Sequence, residues 1–224
     1  MYQSLKNIIY ILKMKEFVIF CLLFLSSLEF DTSKMLIIYF SNTGNTQLIV
    51  DYIKEIANIS SFKIIPKVPY PDLEATIELA HQQLDNDERP EIEDPLTDIS
   101  KYDKILLGYP LWHSHLPRIV VNQLEKLDFS GKTIYPFNTF GSLGVAESIN
   151  DIKKYCPNAI VKDGLPIQDS TSRVKEASMK MIVNWLDNNF VEHANDENER
   201  KGLSKDNSLI VKVNFILLLL YILF

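Results

Sequence analysis

MLIIYFSNTGNT, residues 35–46, is the stretch on which the fold turns. Six apolar residues in succession, Met35 to Phe40, suit a short strand covered on both faces, since a strand with one wet face would alternate. Ser41 to Thr46 then gather three hydroxyls, two amides and one glycine, with no apolar residue among them. Beyond them Ile49, Ile53 and Ile56 recur at helical spacing, so residues 45–59 read as a helix with one face inward.

The alternation continues outward from there. Residues 61–65 are a second strand candidate, closed by Pro66, Pro69 and Pro71, which lack the amide a ladder needs. The spacing predicts a helix over 72–84 with Leu73, Ile77, Ala80 and Leu84 inward. A third strand is expected at 103–109 and a helix at 117–127, with Val120, Leu124 and Leu127 inward and Pro117 in its first turn. A fourth strand at 132–137, a helix at 145–155, a fifth strand at 159–164 and a last helix at 171–188 follow. Val174, Ala177, Met181 and Trp185 are the expected inner face of that last helix. Five strand–helix units imply a parallel sheet covered on both sides, hence a three-layer doubly wound α/β domain with a five-stranded sheet.

Composition sets the outer bounds. The chain has 224 residues, 46% of them hydrophobic, enough for a sizeable core. Its net charge of -6 argues against nucleic acid, which needs a basic surface. Cys21 and Cys156 suggest neither a disulfide framework nor a metal site, and fit a reducing, cytoplasmic setting. The expected organisation is an N-terminal extension (1–34) with an apolar segment, a domain over 35–190, a polar linker (191–207) and an apolar C-terminal segment (208–224). The two apolar segments leave membrane attachment open; the first also fits a signal peptide, and both fit translation artefacts.

Three loops that leave strand ends carry the candidate chemistry, because open α/β sheets bind ligands at the carboxyl ends of their strands. Ser41, Asn42, Thr43, Gly44, Asn45 and Thr46 lie where a helix begins. Backbone amides there attract anions, and the hydroxyls add donors. The loop lacks the lysine of a P-loop, and no Lys or Arg occurs over 35–53, so a monophosphate suits it better than a triphosphate. A plain helix cap is the competing reading. In the second loop, Pro110, Leu111, Trp112 and His113 could wall a planar ligand, or Trp112 could simply be core. His113 and His115 also suit an ordinary surface loop. In the third, Thr139, Phe140, Gly141, Ser142 and Gly144 allow close backbone approach, or form a turn. A doubly wound sheet brings all three loops together, and that coincidence favours a ligand.

IIYFSNTGNT resembles the phosphate loop of the flavodoxin family. YDKILLGYPLWHSHLP, DFSGKTIYPFNTFGSLG and SINDIKKYCPNA follow in the family's order, so the resemblance spans 35–190. It implies strand order 2-1-3-4-5 and non-covalent FMN. Phosphate would be held by Ser41, Thr43, Gly44, Asn45 and Thr46. The ring would lie between the Pro110–His113 and Thr139–Gly144 loops. His113 stands where the family's second loop aromatic is usual, which alters the expected tuning of the flavin. No sizeable insertion splits the last strand, as in the short-chain form. The expected activity is electron transfer or low-specificity flavin-dependent reduction, with no protein nucleophile and no metal. Partners would be redox proteins or small electron acceptors, with NAD(P)H open as a donor. A dedicated NAD(P)H-dependent quinone reductase and a membrane-linked binding module are the alternatives. Ten acidic residues against one basic over 72–98 could steer basic partners, or form a solvated face.

Overall fold

The computed structural model describes residues 32–141 and 147–190. Most of the N-terminal extension, the linker, the C-terminal segment and Ser142–Gly144 lie outside the described residues. Thr32–Asn189 forms one compact unit. No helix among the described residues is long and apolar enough to cross a membrane.

All five residues of β1 (Met35–Tyr39) are buried, as an uninterrupted apolar run requires of a central strand. β1 pairs in parallel with β2 (Ser60–Lys63) on one side and with β5 (Lys104–Pro110) on the other. β5 pairs with β6 (Thr133–Phe140), and β6 carries two short strands, β7 (Ile160–Val161) and β8 (Leu165–Gln168). The order β2-β1-β5-β6-β7 is the doubly wound 2-1-3-4-5 pattern, with the fifth place shared by β7 and β8. The sequence pattern located only the first piece of that place. Its second piece continues beside Phe137 to Phe140, at the end of β6 where the loops gather. A small antiparallel pair, β3 (Ile65–Pro66) and β4 (Ile92–Glu93), stands apart from this sheet.

Helices cover both faces. Leu36, Ile38 and Phe40 join Ile105, Leu107 and Tyr109 in one core with Ile119, Val120 and Leu124 of α3 (Arg118–Leu124) and Ile152 of α4 (Glu147–Tyr155). Alternate residues of a strand point to opposite faces, so Met35, Ile37 and Tyr39 look the other way. On that second face lie α1 (Asn45–Ala57) and α6 (Lys175–Phe190), where Phe137 of β6 meets Trp185 at 6.2 Å. The short helix α5 (Asp169–Ser172) precedes α6.

Two inner faces differ from the sequence expectation. In α2 (Leu73–Asp85) the buried residues are Thr76, Ala80 and Gln83, whereas Leu73 and Ile77 are 63% and 54% exposed. In α6 the buried residues are Ser178, Ile182, Val183, Trp185, Leu186, Asp187 and Phe190, whereas Val174 lies before the helix and is exposed. Apolar spacing alone gave a stripe rotated from the one tertiary packing selects.

Candidate functional site

The left-handed φ of 91° at Gly44 turns the chain sharply from β1 into α1. A side chain would meet no neighbour there, so glycine is required by backbone conformation rather than by space. Gly44 offers no side-chain cap. The amide of Gln47 is taken by Ser41 Oγ at 3.2 Å, and that of Leu48 by the Gly44 carbonyl at 3.0 Å. The amides of Asn45 and Thr46 have no acceptor among the described residues. Uncapped amides at a 13-residue helix, with the hydroxyls of Thr43 and Thr46 beside them, form a neutral donor set for an anion. Thr43 is exposed; Asn45 and Thr46 are buried.

Hydrogen bonds tie this loop to the other strand ends. Thr46 Oγ1 meets Thr139 Oγ1 at 2.9 Å, both side chains being buried. The Leu111 amide donates to the Thr139 carbonyl at 2.8 Å. Gln168 Nε2, at the end of β8, donates to the Gly141 carbonyl at 3.3 Å. Thus the first, second and third loops meet around Thr139. Thr139 and Phe140 belong to β6 itself, which runs three residues beyond the expected strand end. Ser142 and Gly144 lie outside the described residues.

Pro110 ends β5, and Leu111 and Trp112 are half-buried after it. Trp112 packs edge-on against Phe40 at 5.5 Å and Tyr70 at 4.9 Å. These three rings make an aromatic wall beside the end of β1. Trp112 and His115 then exchange backbone hydrogen bonds of 3.2 and 2.9 Å around His113 and Ser114. Both central residues are left-handed, at φ 50° and 68°, the backbone of a tight two-residue hairpin turn. Neither is glycine, so each costs about 1–2 kcal/mol. Side chains on each side hold the turn. His113 Nε2 lies 3.0 Å from the Ile77 carbonyl of α2 and must donate to it, which places the proton on Nε2. Its ring also stands edge-on to His81 at 5.0 Å. Asp151 Oδ2 accepts from the Leu116 amide at 3.0 Å and lies 2.9 Å from His115 Nδ1. The two histidines therefore pin the loop to α2 and α4. Asp151 and Tyr70 were not singled out from sequence, because their partners lie 36 and 13 residues away.

Charge around the site is unevenly spent. Arg89 forks onto Glu125 at 2.6 and 2.7 Å, and Arg118 reaches Asp87 and the Tyr155 hydroxyl. Arg89 holds the carboxyls of both Asp87 and Glu125 below the usual carboxylate range. Asp72 caps α2 through the Ala75 amide, and Glu91 pairs with Lys67 at 2.7 Å. Several members of the acidic stretch are thus engaged locally. Arg173 enters from the far end of the chain, its Nε donating to Asn45 Oδ1 at 3.2 Å. Buried Cys156 has its thiol pushed up to about 12 by desolvation, which keeps it inert. Among the described residues no group of three or more His, Cys, Asp or Glu could hold a metal ion.

Comparison with known proteins places this geometry. A protein from Bacteroides eggerthii DSM 20697 described as a flavoprotein is 29% identical, with a TM-score of 0.59 over 69% of this chain and 96% of that one. A counterpart from Bacteroides uniformis ATCC 8492 is 25% identical, with a TM-score of 0.56 over 67% and 99%. A flavoprotein from Lactobacillus acidophilus NCFM, solved in complex with FMN, shares the fold at 22% identity and a TM-score of 0.51, over 65% and 99%. No curated protein matches the chain. The family model described as Flavodoxin matches residues 34–189, and the chain belongs to the flavodoxin family.

Proposed function

We propose that this protein binds FMN without a covalent bond and uses it for electron transfer or low-specificity flavin-dependent reduction. The observation that carries this reading is the donor set at the start of α1. Two amides with no acceptor among the described residues and two hydroxyls surround a left-handed glycine in a loop with no cation of its own. Such a set suits a phosphate monoester, and the aromatic wall of Phe40, Tyr70 and Trp112 stands nearby for a planar ring.

Bound FMN supplies the one- and two-electron chemistry; the protein supplies placement. The Thr43 and Thr46 hydroxyls and the Asn45 and Thr46 amides hold the phosphate end. Thr139 joins that end to the second and third loops through its hydroxyl and its carbonyl. The Trp112–His115 turn, anchored on both sides, holds its geometry without needing to order on binding, which lowers the cost of complex formation.

The test begins with an absorbance spectrum of purified protein, then titration of apoprotein with FMN and with riboflavin. FMN should bind far more tightly. Thr46→Ala should lose about tenfold or more in FMN affinity, since hydrogen bonds to charged groups contribute roughly 1.5–3 kcal/mol. Equal affinity for FMN and riboflavin would remove the phosphate assignment. Anaerobic mixing with NADPH and a quinone separates the carrier from a dedicated reductase: rapid turnover favours the reductase.

A further inference from the structure

Three arginines lie among the described residues, and two of them are committed to carboxylates. Arg89 holds Glu125, and Arg118 holds Asp87. Arg173 has no carboxylate partner among the described residues. Its one side-chain hydrogen bond among the described residues runs from Nε to Asn45 Oδ1. The other N–H groups of its fork have no protein acceptor among the described residues.

The corner that presents Arg173 is built to stay in place. Ser172 is buried, and its hydroxyl donates to the Asp169 carbonyl at 2.8 Å. Buried Ser178 donates back to the Thr171 carbonyl at 2.8 Å. Lys175 pairs with Glu55 of α1 at 2.9 Å. These contacts dock the corner along α1, with Arg173 directed to its first residue. Asn45 follows left-handed Gly44 and is 5% exposed. A guanidinium can only donate, so the contact takes up the amide oxygen of Asn45 and leaves its NH2 as a donor.

We infer that Arg173 is the cation of the phosphate site, orienting Asn45 as a donor and balancing the charge of the FMN phosphate. It thereby sets the preference for FMN over riboflavin. The inference rests on the FMN reading above. A phosphate monoester carries about -1.5 to -2 charges at pH 7, and the loop itself supplies only neutral donors. A cation one residue from those donors acts through a short, partly screened distance. Arg173 is a positioning residue in this role, since its protein contact is with Asn45.

Apoprotein of the wild type, Arg173→Gln and Arg173→Lys is titrated with FMN and with riboflavin at low and high salt. Arg173→Gln should lose roughly three- to tenfold in FMN affinity with riboflavin affinity unchanged. Its FMN affinity should also depend less on salt, because a screened charge pair is gone. Arg173→Lys should recover part of the affinity and the salt dependence. Loss of FMN and riboflavin affinity alike would make the residue merely structural and overturn the inference. Unaltered FMN affinity and salt dependence in Arg173→Gln, with wild type binding FMN, would sink the inference alone. Wild type that takes up neither ligand would sink the FMN reading and the inference together.

Discussion

Helices α1 and α2 are each thirteen residues long and are held to the body in opposite ways. α1 buries Ile49, Val50 and Ile53 against the sheet, and its ends are shaped by left-handed Gly44 and left-handed Asn58. α2 buries Thr76, Ala80 and Gln83 and leaves Leu73 and Ile77 in water. Polar bonds hold it instead. Asp72 caps its start, Thr76 Oγ1 donates to the Pro71 carbonyl at 3.0 Å, and the Tyr70 hydroxyl donates to Gln83 Oε1 at 3.1 Å. The Ile77 carbonyl receives His113. Apolar burial is non-directional and scales with area, whereas these bonds specify position. The helix that carries the proposed phosphate site is fixed by area; the helix that braces the second loop is fixed by individual contacts.

Core truncation should separate the two most sharply. Ile53→Ala is expected to cost about 2–5 kcal/mol in urea unfolding, while Ile77→Ala should stay within about 0.5 kcal/mol. Equal losses would erase the distinction. Gln83→Ala tests the other side, since it strands the half-buried Tyr70 hydroxyl. A loss of about 1–3 kcal/mol is expected, accompanied by increased mobility of the Tyr70 ring in NMR. A neutral outcome would mean that α2 needs no directional bonds. Gly44→Ala should cost about 1–2 kcal/mol through backbone strain alone, and should weaken FMN more than its stability loss suggests.

The smallest effect concerns acid. Asp87 and Glu125 have carboxyls held below the usual range by Arg89. Depressed folded values mean that their contribution is present above the unfolded value near 4–4.5 and is lost as pH falls through the lower folded values. Amide exchange in the segment after α2 should therefore lose protection before α1 does as pH falls below the unfolded carboxylate values. Simultaneous loss would tie the two helices to one cooperative unit.

The same contrast explains what could be read from the sequence. Strand β1, its loop and α1 are legible because burial on two faces and burial on one face leave different periods. The strand order was legible only through the family resemblance of the loops. The inner faces of α2 and α6 were not, because Gln83 and Ser178 are buried on the strength of single hydrogen bonds that periodicity cannot register. Leu165–Gln168 escaped because Gly164 precedes it and Pro166 stands inside it, which blurs the strand signal. Arg173 lies 128 residues from Asn45, so only the packed topology brings them together. In the second loop, Trp112 was visible as an aromatic, but the direction of His113 depends on a left-handed backbone that no residue type there announces.

The division of the fifth strand place has a consequence for encounters between copies of the chain. Open sheets are exposed to strand addition at their edges, where unpaired amides and carbonyls can template another strand. Here that edge offers a two-residue rung and a four-residue rung, separated by exposed Lys162 and Asp163 and by Gly164. The opposite edge is the four-residue SSFK of β2, ending on exposed Lys63. A neighbouring chain arriving side-on finds an interrupted ladder at one border and a short strand ending on a lysine at the other, and both are poor templates for an added strand.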